Sequence, residues 1–558
     1  MTDLVALHHA YEWERKTPDR PWLVQPMGQG VVREMTWRQA MDEVRRMAAH
    51  LASLDLPPGS HVALFSKNSA WWILADLAIM MAGHVSIPLY PTLTPDTIAQ
   101  ILDHSESKLV FVGKLDGFEE MAPGIPADLP RIVLPLAPDG AEGTPWEEIV
   151  AKTEAMEDSP HRQPSDLETI VYTSGSTGVP KGVMHTFETT GRATVGVIRH
   201  LGIGAEDRML SYLPLAHVFE RWIVEHASLF SGMQLYFAES LDTFVQDLQR
   251  ARPTLFVSVP RLWQKFQSGV FEKMPPPKLD LLLKLPIVGN VVRKKILRGL
   301  GLDAVRFAGS GSAPIPAALI QWYRDLGLEL LEGYGMSENF SYSHVSRPGE
   351  VRVGYVGKPY PDVECRLSEE GEILVKSPAN MVGYYKMEEE TKAAFTSDGF
   401  LRTGDRGEID EEGRLRITGR VKDLFKTSKG KYVAPAPIEN RLQLSEHIEM
   451  ACVEGSGQPQ PCAVVVLSEA SRAAMETEEG RTRVVSDIER HLGAVNRELD
   501  HHEQLAFVAV VPEAWTVEEG FLTPTMKIRR SKIAEVYGPR LADWYGSGRK
   551  VLVASPAV

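Results

Sequence analysis

Short apolar runs alternate with amphipathic stretches along the first third of the chain. HVALFSKN (61–68) reads as a strand running into a turn, SAWWILADLAIMMAG (69–83) as a helix, HVSIPLYPT (84–92) as a strand ending at Pro91, and KLVFVG (108–113) as a further strand. Strands separated by helices assemble into parallel sheet, so the pattern predicts an α/β class. The helix at 71–83 is apolar all round except for Asp76. It is too short to span a bilayer, which takes about 20 apolar residues, and reads as a buried core helix. Residues 136–166, rich in Pro, Asp, Glu and Gly, read as a connecting loop before the strand TIVYT (169–173).

The same rhythm continues downstream. LDTFVQDLQRARPTLFVSVPRLW (241–263) reads helix, turn, strand, and AVRFAGSGSAPI (304–315) reads as a strand entering a Gly/Ser loop. A helix follows in PAALIQWYRDLG (316–327), then LELLEGYGMSE (328–338), again a strand ending in a glycine loop. From about 350 to 418 the texture changes to short strands with tight turns, as in GEILVKS (371–377) and DEEGRLRITG (410–419). Beyond GRVKD (419–423) helices and strands resume in IENRLQLSE (438–446), AVVVLSEA (463–470) and LAFVAVVPE (505–513). A boundary at 420–422 divides the chain into 1–420 and 421–558, the latter the size of one ordinary domain.

Composition narrows the function. With 558 residues, 43% hydrophobic and 24% charged, the chain has the make-up of a soluble globular protein with ample core. A net charge of −14 repels nucleic acid, which excludes that partner, and any anionic ligand has to be held by local groups. Three cysteines, Cys365, Cys452 and Cys462, without CxxC spacing, argue against a disulfide framework or a zinc site and for a reducing compartment. The N-terminal stretch carries an early acid and lacks a signal-type apolar core, so a cytoplasmic location is expected.

Residues 172–182, YTSGSTGVPKG, follow an apolar run. They do not form a Walker A motif, because Pro180, not Gly, precedes Lys181. The physical logic is similar: glycines let successive backbone N–H groups converge on an anion. Thr173, Ser174, Ser176 and Thr177 add hydroxyls among Gly175 and Gly178, and Lys181 adds charge. Such a loop suits the β- and γ-phosphates of a nucleotide. A merely polar surface turn is the plainer alternative.

YTSGSTGVPKG resembles the phosphate loop of the adenylate-forming superfamily, which comprises acyl-CoA synthetases, peptide-synthetase adenylation domains and luciferases. Further signatures follow in order as far as Lys527. GYGMSE (333–338) matches the station where, by resemblance, Tyr334 and Gly335 meet adenine, Ser337 the α-phosphate and Glu338 Mg²⁺, with Thr173 as a second metal-side oxygen. In AGSGSAP (308–314), the resemblance makes Gly309, Ser310 and Gly311 the other wall of the adenine slot. RTGD (402–405) and GR (419–420) place Asp405 on the ribose hydroxyls and Arg420 on ribose or phosphate. LPLAHVFER (213–221) puts His217 near the reacting carboxylate and phosphate, with Glu220, Arg221 and Trp222 shaping an acyl channel.

TPTMKIRR (523–530) resembles the long-chain fatty acyl-CoA synthetase branch, where most of the superfamily carries Ser-Gly-Lys. Lys527 matches the lysine that bridges carboxylate and α-phosphate. In GRVKDLFKTSKGKYVAPAPIEN (419–440), Lys422 matches the hinge, Gly430 the lining of the pantetheine tunnel and Glu439 a structural acid.

The resemblance implies a large N-terminal domain of stacked α/β sheets with a small distorted β-barrel subdomain, and a small mobile C-terminal α+β lid. It implies ATP and Mg²⁺, with coenzyme A and a long- or medium-chain fatty acid as substrates. Two other readings stand beside it: a stand-alone adenylating enzyme that loads a carrier-protein phosphopantetheine, and a nucleotide-binding module without turnover. Finally, PKLDLLLKLPIVGNVVRKKILRGLG (277–301) interleaves leucine and valine with six cations against the single acid Asp280. It is a candidate for peripheral contact with an anionic membrane at its inner surface, the alternatives being a core-packed helix pair or a contact for coenzyme A phosphates.

Overall fold

The computed structural model describes residues 3–174, 180–311, 313, 315–523 and 527–556. The chain packs as two compact units. The first comprises Met1–Ala313, Ala318–Cys365 and Val375–Leu401; the second comprises Pro314–Ala317, Arg366–Leu374 and Arg402–Val558.

The first unit is α/β, as the alternation of patterns predicts. Its largest sheet has eight strands, in the order Gly383–Tyr384, Pro180–Thr186, Leu167–Ser174, Val85–Leu89, His61–Phe65, Leu109–Val112, Arg131–Val133 and Thr144–Pro145. Apart from the first two strands named, its pairings are parallel. The central strands are apolar runs because helices cover both faces of such a sheet. A second sheet runs Leu255–Ser258, Phe307–Ser310 and Leu330–Tyr334 in parallel, then His344–Val345 and Lys358–Pro359 antiparallel. A third joins Arg208–Ser211, Gln234–Phe237, Pro21–Gly28 and Val31–Thr36.

The helix Ala70–Met81 begins at Ser69, whose hydroxyl accepts from Trp72 N–H, and every one of its residues is buried. Asp76 is tolerated there because Arg221, itself fully buried, donates to it at 2.6 Å. Arg221 also donates to Thr169 at 2.6 Å and to Glu225 at 3.2 Å, and stacks over Trp72. Burial and the Asp76 charge push the Glu225 carboxyl well above the ordinary range. Arg221 opens a π-helical turn, Arg221–His226, inserted within an otherwise α-helical run. No helix among the described residues is long and apolar enough to cross a membrane.

The 136–166 stretch is not all loop. Trp146–Lys152 is a helix whose Trp146 is buried beside Phe111 and donates its indole N–H to Glu43 at 2.8 Å. About two turns of helix in a polar, proline-bearing segment leave no periodic signal, and long-range burial of Trp146 and Ile149 decides it.

The second unit carries the strands Ile448–Glu454, Cys462–Leu467, Val508–Val511 and Val551–Val553 in one sheet. Helix Glu478–Glu498 packs its Val484, Ile488, Leu492 and Val495 stripe into the same core. Cys452 and Cys462 are buried on adjacent strands and Cys365 is half-buried; all three are free thiols. Burial pushes the Cys365 thiol up to about 11, Cys462 up to about 12, and Cys452 well above its usual value.

Candidate active site

In the first unit, the strands Leu167–Ser174 and Pro180–Thr186 form an antiparallel hairpin in which Thr173 lies opposite Lys181 and Ser174 opposite Pro180. The predicted phosphate loop, 172–182, begins and ends on these two strands. Gly175, Ser176, Thr177 and Gly178 lie outside the described residues. Thr173 and Lys181 are thus cross-strand partners at the mouth of that loop.

Lys181 leads directly to a second predicted station. Its ammonium lies 4.9 Å over the Tyr384 ring, a cation–π distance, and the Tyr384 hydroxyl donates to Glu338 at 2.8 Å. Burial, and then the neighbouring Glu338 charge, raise the Tyr384 phenol far above its ordinary value, so it stays a donor. Strand Gly383–Tyr384 pairs with Val183 and Met184, which fixes Tyr384 beside Lys181. The Glu338 backbone is held as well, its carbonyl accepting from Met381 N–H at 2.7 Å.

The neighbouring Ser337 carbonyl accepts from His185 Nε2 at 2.7 Å. Because a carbonyl only accepts, His185 carries its proton on Nε2. Burial lowers His185 to about 4, so the ring is neutral near pH 7. The turn before these residues needs Gly335, since a Cβ there would sit 2.4 Å from the Ser341 carbonyl oxygen. The backbone N–H of Met336 is capped by Asn339 Oδ1 at 2.9 Å.

Gly309–Gly311 and Tyr334 come from neighbouring parallel strands, with Gly309 opposite Leu331 and Ser310 opposite Glu332. The ends of such strands are where open α/β sheets bind ligands. Ser310 is buried, and its hydroxyl has no hydrogen-bond partner among the described residues. A buried polar atom of that kind suits a polar ligand. A Cβ on Gly311 would lie 3.7 Å from both the Gly333 carbonyl oxygen and the Phe219 ring. The loops at 309–311, 333–335 and 217–219 therefore adjoin. Tyr334 lies opposite His344 with the rings tilted, centroids 6.1 Å apart.

His217 stands at the N-terminus of a short helical turn, where its Nδ1 accepts from Phe219 N–H at 3.1 Å, leaving the proton of the neutral ring on Nε2. Its neighbours behave differently from the expected acyl channel. Arg221 is committed to the Asp76 and Glu225 network. Glu220 is buried, accepting from Tyr212 N–H at 2.9 Å, Ser211 at 3.0 Å and Asn68 at 3.3 Å, and burial pushes its carboxyl up to about 8. Both side chains bind protein groups because a polar atom in a dry interior has to be paired.

In the second unit, Asp405 and Arg420 are cross-strand partners, and Arg420 Nε donates to Asp405 at 2.9 Å. The Asp405 backbone is turned by Thr403, whose hydroxyl accepts from Asp405 N–H at 3.1 Å and donates to the Ile373 carbonyl at 2.7 Å. Gly430 sits at φ +75°, in the turn joining Phe425–Lys426 to Tyr432–Val433, with nothing within 4 Å of an added Cβ. Lys527 is exposed at the base of another hairpin, where Leu522 bridges Ile528, Thr523 N–H donates to the Lys527 carbonyl at 2.8 Å and Lys527 N–H donates to Thr523 Oγ1 at 3.1 Å. Just beyond, Arg530 donates twice to Glu439 at 2.6 Å, and Glu439 also accepts from Val453 N–H at 2.6 Å. Glu439 is thus a structural anchor for the chain that carries Lys527.

The donor set around Glu338 and Thr173 is hard oxygen. Among the described residues no three His, Cys, Asp or Glu side chains gather into a metal cage. Hard oxygen suits Mg²⁺, which keeps waters and takes substrate phosphates with only one or two protein ligands.

Two mixed, mainly parallel sheets carrying glycine loops, with a lysine at one loop mouth linked through a tyrosine to a carboxylate, define a nucleotide-binding α/β enzyme. The chain belongs to the AMP-binding enzyme family, whose profile matches residues 10–385, while that of the AMP-binding enzyme C-terminal domain matches 422–548. It is 30% identical to a long-chain-fatty-acid–CoA ligase of Mycobacterium bovis, over 96% of each chain. Among solved structures, it is similar to the A domain of the carboxylic acid reductase from Segniliparus rugosus, in complex with AMP and a co-purified carboxylic acid. The TM-score is 0.79 at 23% identity, covering 98% of this chain and 95% of that one. It is also similar to the anthranilate CoA ligase AuaEII, with TM-score 0.77 at 21% identity over 97% and 99% of the chains.

Proposed function

We propose that the chain activates a long- or medium-chain fatty acid with ATP and passes the acyl group to coenzyme A. The observation that carries this reading is the chain of contacts from Lys181 through Tyr384 to Glu338. It sets one cation and one carboxylate at the mouth of the phosphate loop. The long-chain relative supports the acid class.

In the first half-reaction a carboxylate oxygen of the acid attacks the α-phosphorus of ATP. The bond from that phosphorus to the bridging oxygen breaks, and pyrophosphate leaves. Lys181 and the hydroxyls of Thr173, Ser174, Ser176 and Thr177 hold the outer phosphates, with the loop glycines Gly175 and Gly178 admitting them. Glu338 and Thr173 hold Mg²⁺, which when bound offsets phosphate charge. Tyr334 and Gly335 face adenine from one side, and Gly309, Ser310 and Gly311 from the other. Ser337 donates to the α-phosphate, and Asp405, oriented by Arg420, takes the ribose hydroxyls. His217 and Lys527 flank the reacting oxygen. The substrate supplies its own nucleophile, so positioning and charge stabilisation do the catalysis.

In the second half-reaction the coenzyme A thiol loses its proton, its sulfur attacks the acyl carbon, and the carbon–oxygen bond to AMP breaks. Lys527 and a thiol tunnel serve the same centre at different times, so residues 421–558 act as a lid turning at Lys422, with Gly430 lining the tunnel.

A second reading stands beside it, in which the acyl group passes to a carrier phosphopantetheine. One assay separates the readings: AMP release from a series of fatty and aromatic acids, with and without coenzyme A. AMP formation that rises with acyl chain length and turns over only with coenzyme A is the expected result. ADP formation, or a preference for aromatic acids, overturns the reading.

A further inference from the structure

We propose that residues 276–299 form a docking wedge for an anionic phospholipid bilayer. The segment is two helices, Pro276–Leu283 and Pro286–Gly299, each started by a proline at its first position. The helices pack closely at the join: Gly289 is buried, and a Cβ there would lie 2.6 Å from the Leu283 carbonyl oxygen. Arg293 ties this hairpin down, donating to the Asp325 carbonyl at 2.6 Å and the Leu283 carbonyl at 3.0 Å.

What remains outward is unusual for a soluble surface. Ile287 is 82% exposed, Leu281 64% and Val291 63%, with Leu285 and Val288 also exposed around the join. On the second helix, positions 287, 291, 294 and 298 recur at spacings of four, three and four, which puts them on one face. That face therefore reads Ile287, Val291, Lys294, Arg298 from tip to base, with Lys295 alongside. Gly289, Val292, Arg293 and Ile296 occupy the opposite, more buried side. Apolar side chains lead and cations follow, the arrangement of a segment that sinks its tip among acyl chains and leaves ammonium groups at the phosphates.

The charge argument selects the partner. The whole chain carries −14 and is repelled by an anionic surface, yet this segment holds six cations against Asp280 alone. Lys278, Lys284, Lys294 and Lys295 are exposed, and none forms an ion pair among the described residues. A neutral apolar partner would not need them.

The test is sedimentation of the full chain with vesicles of phosphatidylcholine alone and of phosphatidylcholine mixed with phosphatidylglycerol, without acid or nucleotide. Binding is expected only to the mixed vesicles and is expected to weaken as salt is raised. Each near-surface cation contributes about fivefold, so Lys294→Gln with Lys295→Gln lowers the partition by roughly 25-fold. Ile287→Asp lowers it by roughly tenfold or more. Circular dichroism checks that both variants fold, and AMP release from a short, water-soluble acid is expected to be unchanged in them.

Absence of lipid binding overturns the proposal, as does binding that ignores these substitutions. Self-association abolished by Ile287→Asp would make a second copy the partner and overturn it too. A raised KM for coenzyme A in the lysine variants, with vesicle binding intact, would assign the cations to the coenzyme's phosphates instead. None of these outcomes bears on whether AMP is formed.

Discussion

Glu338 and Lys527 mark two ways in which this molecule holds a functional side chain. Glu338 is fixed at both ends: Tyr384 donates to its carboxylate, Met381 to its carbonyl, and His185 holds the residue before it. In the same unit the fully buried Arg221 ties the helix Ala70–Met81, through Asp76, to the strand Leu167–Ser174, through Thr169. Lys527 stands exposed at the base of a short hairpin anchored one turn away through Arg530 and Glu439. Gly430 occupies a similar open turn. The contrast teaches that the group proposed to serve a constant ligand is braced by tertiary bonds, whereas those proposed to serve one half-reaction each ride on surface turns. Surface turns change orientation with little loss of buried contact.

The comparison breaks most severely at its buried end. Arg221→Met removes the guanidinium that partners Asp76 in a dry interior, and about 3–5 kcal/mol of unfolding free energy is expected to be lost. A urea titration reads this as a lower midpoint, and a variant as stable as the parent would remove the bracing argument. Lys527 is exposed, so Lys527→Ala is expected to shift the same titration far less. It is expected to lower ATP–pyrophosphate exchange by roughly 10²–10³-fold while sparing thioester formation from supplied acyl adenylate. Equal loss of both half-reactions would refute a role confined to the first. The smallest effect is expected at Gly430, whose φ of +75° an L side chain resists. Gly430→Val should cost about 1–2 kcal/mol locally and slow the thioester step roughly tenfold, leaving pyrophosphate exchange in place.

Local pattern carried much of this architecture. The alternation of apolar runs predicts the strands at 61–65, 85–89, 109–112 and 307–310, and each glycine loop follows a strand whose apolar run is legible. The Asp405 and Arg420 stations become neighbours because both lie on one antiparallel pair. What the sequence conceals is long-range. Tyr384 reaches Glu338 across 46 positions, His185 reaches Ser337 across 152, and Arg221 reaches Asp76 across 145. No spacing rule links such residues, and a tyrosine pair after Gly383 or a histidine in a strand looks like ordinary core. The resemblance of LPLAHVFER points Arg221 toward an acyl channel, and only its buried counter-charge, Asp76, shows where the guanidinium is committed.

The three thiols have a practical consequence. Buried or half-buried and held in the protonated form, Cys365, Cys452 and Cys462 are poor nucleophiles toward an aromatic disulfide reagent at neutral pH. In the native protein that reagent reports the coenzyme's sulfhydryl, so its absorbance falls as thioester accumulates. Once denaturant unfolds the chain, the same colour counts three equivalents per chain, and one reagent follows both turnover and unfolding.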